Sequence, residues 1–170
     1  MSDAPALDAR AFRTLLGRFA TGVTVVTSVD GGTPLGMTAN AFSSVSLNPL
    51  LVLVCVDRKA SMYEPLLRSG HFAVNILAAD QQPVAAFFAR SGRGVDGGGS
   101  MGGVQYRMGK TGSPLIEGSL GWLDCRVWRQ YDGGDHTILV GEVVDMELTT
   151  SDAVPLLFFG GGYGSFTPRR

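Results

Sequence analysis

The chain has 170 residues, 45% of them hydrophobic and 17% charged. Its 14 Lys and Arg balance 15 Asp and Glu, leaving a formal charge of −1. That length predicts one domain with a real core over residues 1–170, and so even a balance gives no footprint for a nucleic-acid partner. Residues 7–20 predict a helix: Ala11, Phe12, Leu15, Leu16 and Phe19 recur at helical spacing, and Thr21-Gly22 ends it. Residues 23–29 are rich in β-branched side chains and predict a strand, Asp30-Gly31-Gly32 a turn, and residues 35–42 a second strand. The continuous apolar run 50–56 predicts a strand buried on both faces. Ser61 and Glu64 have capping-box spacing ahead of a short helix over 62–68, with Ser61 as N-cap. Residues 72–77 predict a strand, and Asp80 caps a helix with Pro83 in its first turn. Residues 91–112, crowded with glycine, predict a long flexible loop. Two long alternating strands over 120–131 and 137–148 and a short one over 156–159 complete the set. With few helices and strands mostly joined by turns, the fold class is mainly β, an antiparallel barrel or sandwich.

Several function classes are set aside. Cys55 and Cys125 form no CxxC and make no ligand cluster with His71 and His136, so no metal site is expected and both thiols read as buried and reduced. The first residues, Met-Ser-Asp-Ala-Pro-Ala-Leu-Asp, lack the basic and apolar regions of a signal peptide, and no run reaches the roughly 18 apolar residues of a membrane span. A cytoplasmic protein with no membrane partner is the expectation. Gly97-Gly-Gly-Ser-Met-Gly102 matches G-x-G-x-x-G, but without a preceding strand or a following helix it reads as loop.

The segment Gly36-Met-Thr-Ala-Asn-Ala-Phe-Ser-Ser-Val-Ser-Leu-Asn-Pro49 is uncharged and full of small and hydroxyl side chains. Such a stretch suits a backbone lying against a flat polar ligand, with the chemistry supplied by a bound cofactor. Arg58, Lys59, Ala60 and Ser61 precede a helix and read either as a phosphate cradle or as an ordinary solvated surface. His136, in Gly133-Gly-Asp-His, reads as a general acid, a metal ligand, a group that orients a substrate ring, or a surface histidine. His71 reads as structural.

These segments together resemble the short-chain flavin reductases, the small component of two-component flavin-dependent monooxygenases. The resemblance rests on Arg18-Phe-Ala-Thr-Gly-Val-Thr-Val-Val-Thr27, Gly36-Met-Thr-Ala-Asn-Ala-Phe-Ser-Ser-Val-Ser46, Ser69-Gly-His-Phe-Ala-Val-Asn-Ile-Leu77, Gly112-Ser-Pro-Leu-Ile-Glu-Gly118, Gly134-Asp-His136 and Pro155-Leu-Leu-Phe-Phe159, in that order. It implies an FMN-binding split β-barrel of Greek-key type, a homodimer, and hydride transfer from NADH or NADPH to FMN or FAD for use by a partner oxygenase. It further implies that Thr38, Ala39 and Asn40 line the flavin ring with Ser46 nearby. Val54, Cys55 and Val56 would meet the ring edge through their backbone, and Ala60, Ser61, Phe88 and Ala89 would meet the phosphate. Pro34, Gly36, His136 and Tyr163 would contact the nicotinamide nucleotide. No protein group is expected to act as a catalytic acid, base or nucleophile. The same barrel could also carry an oxidase of the pyridoxamine-phosphate-oxidase type or a non-enzymatic flavin-binding module.

Overall fold

A computed structural model describes residues 7–90, 101–149 and 152–166. The elements, in chain order, are α1 (Ala9–Leu16), β1 (Thr21–Gly22), β2 (Thr24–Asp30), β3 (Thr33–Ala39), β4 (Phe42–Leu47), β5 (Leu50–Asp57), α2 (Tyr63–Ser69) and β6 (His71–Ile76). A 3-10 turn (Ala79–Gln81) leads into α3 (Gln82–Phe88). Then come β7 (Tyr106–Met108), β8 (Pro114–Ile116), β9 (Gly121–Gly133), β10 (His136–Leu148), β11 (Leu156–Phe159) and β12 (Gly162–Ser165).

Seven strands form one antiparallel sheet in the order β3-β2-β6-β9-β10-β5-β4. The predicted strand over 35–42 is therefore two strands. The chain leaves one sheet edge at Ala39, turns through Asn40-Ala41, and enters the opposite edge at Phe42. That crossing makes the sheet a barrel-like sleeve and puts the small-residue segment at its seam.

The sleeve closes around Val26, Val54, Val56, Leu66, Phe72, Val74 and Leu139, each fully buried. Burying one such side chain contributes roughly 1.5–3 kcal/mol. A second cluster of Val23, Val25, Leu77, Ala85, Met101 and Leu156 lies beneath α3 and β11. β5 is not buried on both faces. Val52, Val54 and Val56 enter the core, while Leu51, Leu53 and Cys55 on the other face are half-buried.

The N-terminal helix is shorter than predicted. Asp8 caps it, accepting from the N–H groups of Arg10 and Ala11 at 3.1 Å. After Leu16 the backbone tightens, with Arg18 N–H donating to Leu15 O and Phe19 N–H to Leu16 O. Thr21-Gly22 then pairs with β11.

Ser61 is not an N-cap. A turn closed by Ala60 N–H to Asp57 O and Tyr63 N–H to Ala60 O delays α2, whose N-cap is Met62 without a side-chain bond. Asp80 does not cap α3 either. It lies in the 3-10 turn, where Gln81 takes over, accepting from Ala78 N–H and donating to Glu117 O.

The predicted loop over 91–112 divides. Residues 91–100, which hold most of the G-x-G-x-x-G match, lie outside the described residues. Residues 101–112 are not loop throughout: Met101 is fully buried, and β7 pairs with β8. At Gly109 a Cβ would come within 2.6 Å of Asp124 Oδ2, so only glycine fits that turn.

Candidate functional site

The seam at Asn40-Ala41 opens into two clefts. The first, about 290 Å3, is lined by Gly36, Thr38, Ala39, Asn40, Ala41, Cys55, Asp57, Ala60, Ser61, Phe88, Ala89, Arg90 and His136, among others. The second, about 720 Å3, is apolar and lined by Leu16, Phe19, Phe42, Leu53 and Ile76 among others. Asn40, Ala41 and Cys55 line both. The result is one groove with a polar arm and an apolar arm.

Each element contributes for a local reason. β3 supplies the floor, and Gly36 there has no room for a side chain: a Cβ would meet the Phe88 ring at 2.7 Å. The Thr38 hydroxyl donates to Ala85 O at 2.6 Å and ties α3 to β3. Its oxygen can still accept. Asn40 and Ser61, both exposed, form no side-chain hydrogen bond with the protein. Among the described residues no backbone carbonyl takes the N–H of Ser61 or Met62. A set of free donors thus converges on the polar arm, which fits a phosphate beside a flat ring.

His136 starts β10 opposite Asp57. Its Nδ1 lies 2.7 Å from Asp135 Oδ1. That bond from His136, helped by its charge, holds the Asp135 carboxyl below its ordinary range. With Nδ1–H donated to Asp135, neutral His136 keeps Nε2 as an acceptor. Burial pushes the Cys55 thiol up, and burial followed by the Asp124 charge pushes the Cys125 thiol up to about 12. Neither thiol is poised as a thiolate.

The cleft brings together Gly36, Thr38, Ala39, Asn40, Cys55, Ala60, Ser61, Phe88, Ala89 and His136. Pro34, Ser46, Val54, Val56 and Tyr163 do not line it. Arg58 N–H donates to Asp135 O, and the two-residue alternation of the ladder puts the backbone bonds of Val56 and Val54 on β10 as well. Those groups are taken. Tyr163 packs edge-on to Phe158, at 5.6 Å between ring centres. Arg58, a candidate phosphate partner by sequence, is held instead by the Asp132 carboxylate and the Thr137 hydroxyl. Sequence reasoning missed Asp57 and Arg90. The strand that ends beside Asp57 was legible, but not the seam that makes both face one cleft.

The model of the flavin reductase like domain matches residues 16–167. The chain belongs to this family. It is 41% identical over 160 residues to the "FMN reductase (NADH) SmoA" of Agrobacterium fabrum, covering 94% of this chain and 87% of that protein. It is 38% identical over 165 residues to the "Flavin-dependent monooxygenase, reductase subunit HsaB" of Mycobacterium tuberculosis, covering 96% of this chain and 86% of that one. Among solved structures, the NADH:FAD oxidoreductase SgcE6 of Streptomyces globisporus C-1027, in complex with NAD and FAD fragments, superposes with a TM-score of 0.83 at 42% identity, over 97% of this chain and 98% of that one. The seven-stranded antiparallel sleeve with three short helices is thus the architecture of a flavin reductase-like domain.

Proposed function

We propose that the groove binds a free flavin and a reduced nicotinamide nucleotide together, and that the chain is a flavin reductase serving an oxygenase component. One observation carries the reading: the groove is amphipathic and its polar arm holds donors with no protein partner. A flavin has the matching form, a flat apolar tricycle with a polar edge and a phosphate tail. A bound flavin would supply the redox chemistry, as the acceptor of a hydride from the reduced nicotinamide.

The chain's own task is to bind and orient. Asn40 offers an amide donor and acceptor to the ring edge. Ala39, Ala41 and Cys55 form the surface beneath the ring. Ser61 and the free N–H groups beside it face the phosphate. His136 accepts through Nε2 from the nicotinamide carboxamide, held in that tautomer by Asp135. Hydride transfer requires stacked rings with reacting atoms about 3–3.5 Å apart. It asks no side chain for a proton, consistent with the scarcity of ionisable groups along β3 and β4.

A second copy of the chain completes the groove in this reading. No residue of α1 is buried, and Phe12, Leu15, Leu16 and Phe19 are all more than half exposed. Leu16 and Phe19 line the apolar arm together with Leu53 and Cys55 from the outer face of β5. A contiguous apolar face of this kind suits a partner subunit. The reduced flavin leaves by diffusion for the oxygenase. No helix of the described residues is long and apolar enough to cross a membrane.

The test uses purified protein sized by light scattering, with loss of the reduced-nicotinamide absorbance as readout. A dimer that oxidises NADH or NADPH only when FMN or FAD is added supports the proposal. Tightly held flavin without nucleotide oxidation, or binding without turnover, overturns it.

A further inference from the structure

Resting on the reading that His136 meets the nicotinamide, we propose that Arg58 is a positioning residue for that contact. It acts as a clasp that holds the tip of the β9–β10 hairpin against the end of β5, and so sets where the imidazole stands in the cleft. The hairpin needs such a clasp. β6 accompanies β9 as far as Arg126, and Val127 N–H donates to Gly70 O. Beyond that point, among the described residues, β9 has β10 alone for a neighbour. Residues 128–135 are all exposed, so this arm rests on no core. The two-residue turn Gly134-Asp135, with Gly134 at φ 79°, closes the tip. It fixes the tip's own shape but not its place beside the cleft. On the β10 side the ladder with β5 ends at the pair His136–Asp57.

Arg58, the next residue along, reaches every part of that tip. Its N–H donates to Asp135 O in the turn at 3.1 Å. Its Nε donates to the Thr137 hydroxyl on β10 at 3.3 Å, and its guanidinium pairs with the Asp132 carboxylate on β9. Tyr63 of α2 meets the same Thr137 hydroxyl at 3.0 Å, which ties the clasp to the helix behind Ser61. His136 therefore stands between two residues, Asp135 and Thr137, that Arg58 pins. Its imidazole also bonds to Asp135, so any drift of the tip carries the pair together. Two acceptors lying in different directions suit a guanidinium fork and not an ammonium. The side chains of Arg58 and Asp132 are 44% and 77% exposed, and an ion pair that wet adds little to overall stability. Its effect is local: it decides where the tip sits.

The test follows the full chain by hydrogen exchange without ligand, by thermal melting, by flavin titration and by steady-state kinetics with NADH and FMN. Arg58→Gln is expected to raise exchange about threefold in peptides covering 130–137 and to leave those covering 121–126 unchanged. Tm stays within about 2 °C. The KM for NADH rises about threefold, and the Kd for FMN stays within about twofold. Asp132→Asn reproduces these changes, and Arg58→Lys recovers part of the loss. Because Arg58 acts through His136, adding Arg58→Gln to His136→Ala raises the KM for NADH no further. A loss that adds in full to that of His136→Ala, or a larger fall in FMN affinity, overturns the proposal by showing that Arg58 meets a ligand itself. Unchanged exchange in the tip overturns it as well. If His136→Ala leaves the KM for NADH unaltered, the nicotinamide reading falls, while the exchange result still upholds or overturns the clasp.

Discussion

The molecule has two polar clusters, and they differ in whether their hydrogen bonds are closed. Around Asp124 every group finds a partner. Asp124 is fully buried and accepts from Thr111 N–H at 2.8 Å and from the Thr111 hydroxyl, while the Thr111 and Ser113 hydroxyls lie 2.9 Å apart and Ser113 lies 2.7 Å from His71 Nδ1. Because the carboxylate only accepts, the chain of donors runs one way: His71 Nδ1–H to Ser113, Ser113 to Thr111, Thr111 to Asp124. Around the seam the reverse holds. The side chains of Asn40, Ser61 and Arg90 line a cleft and, among the described residues, form no hydrogen bond or ion pair. A closed network fixes a turn, here the one at Gly109–Gly112 that positions β7 against β8. An open set of donors awaits a ligand. The two clusters should therefore fail differently when cut.

The largest effect is expected in the closed cluster. Asp124→Ala strands the half-buried N–H and hydroxyl of Thr111 and should cost about 3 kcal/mol of stability. In a domain of this size that corresponds to a fall in Tm of roughly 10 °C. Flavin affinity of the folded protein, measured well below that Tm, should stay within about twofold. A variant that keeps its Tm but loses flavin binding would reverse the roles assigned to the two clusters.

The open cluster should show the opposite pattern, more weakly. His136→Ala removes the acceptor offered to the nicotinamide and should raise the KM for NADH about fivefold, about what one lost hydrogen bond is worth. Tm and FMN affinity should barely move, because the imidazole's one protein partner is the exposed carboxylate of Asp135. Steady-state kinetics beside a flavin titration separates the two. Loss of flavin affinity with an unchanged KM for NADH would show that His136 faces the flavin.

Much of this contrast was legible in the sequence, for reasons that can be named. Period-two alternation marks β9 and β10 almost residue for residue, and the small-residue run from Gly36 marks the seam. The break at Asn40-Ala41 carries no local signal. Nothing there resembles a turn, and the chain divides only because its two halves pair with opposite edges of the sheet. Met101 was hidden by the glycines on either side of it, although it is the side chain that anchors this segment beneath α3. The same alternation that marks strands puts Val54 and Val56 in the core and Cys55 in the groove. Resemblance alone grouped all three. Arg90 could not be found from its neighbours, because its meaning depends on a cleft wall some thirty residues away, at Ser61.

The smallest effect reads the closed cluster through pH. Burial lowers the His71 pKa, and the Asp124 charge only partly opposes it. The unfolded chain therefore holds its His71 proton at a pH where the folded chain has released it, below the ordinary histidine value of about 6.5. Stability from this residue is complete above that value and is lost as pH falls through the folded pKa. Wild-type Tm should decline as the solution is taken from about pH 7 to about pH 5, and His71→Gln, which cannot titrate but can still donate to Ser113, should decline less steeply. Parallel curves for the two proteins would mean that the imidazole is as free to take a proton in the folded state as in the unfolded one. The closed cluster would then end at Ser113, and His71 would stand outside it.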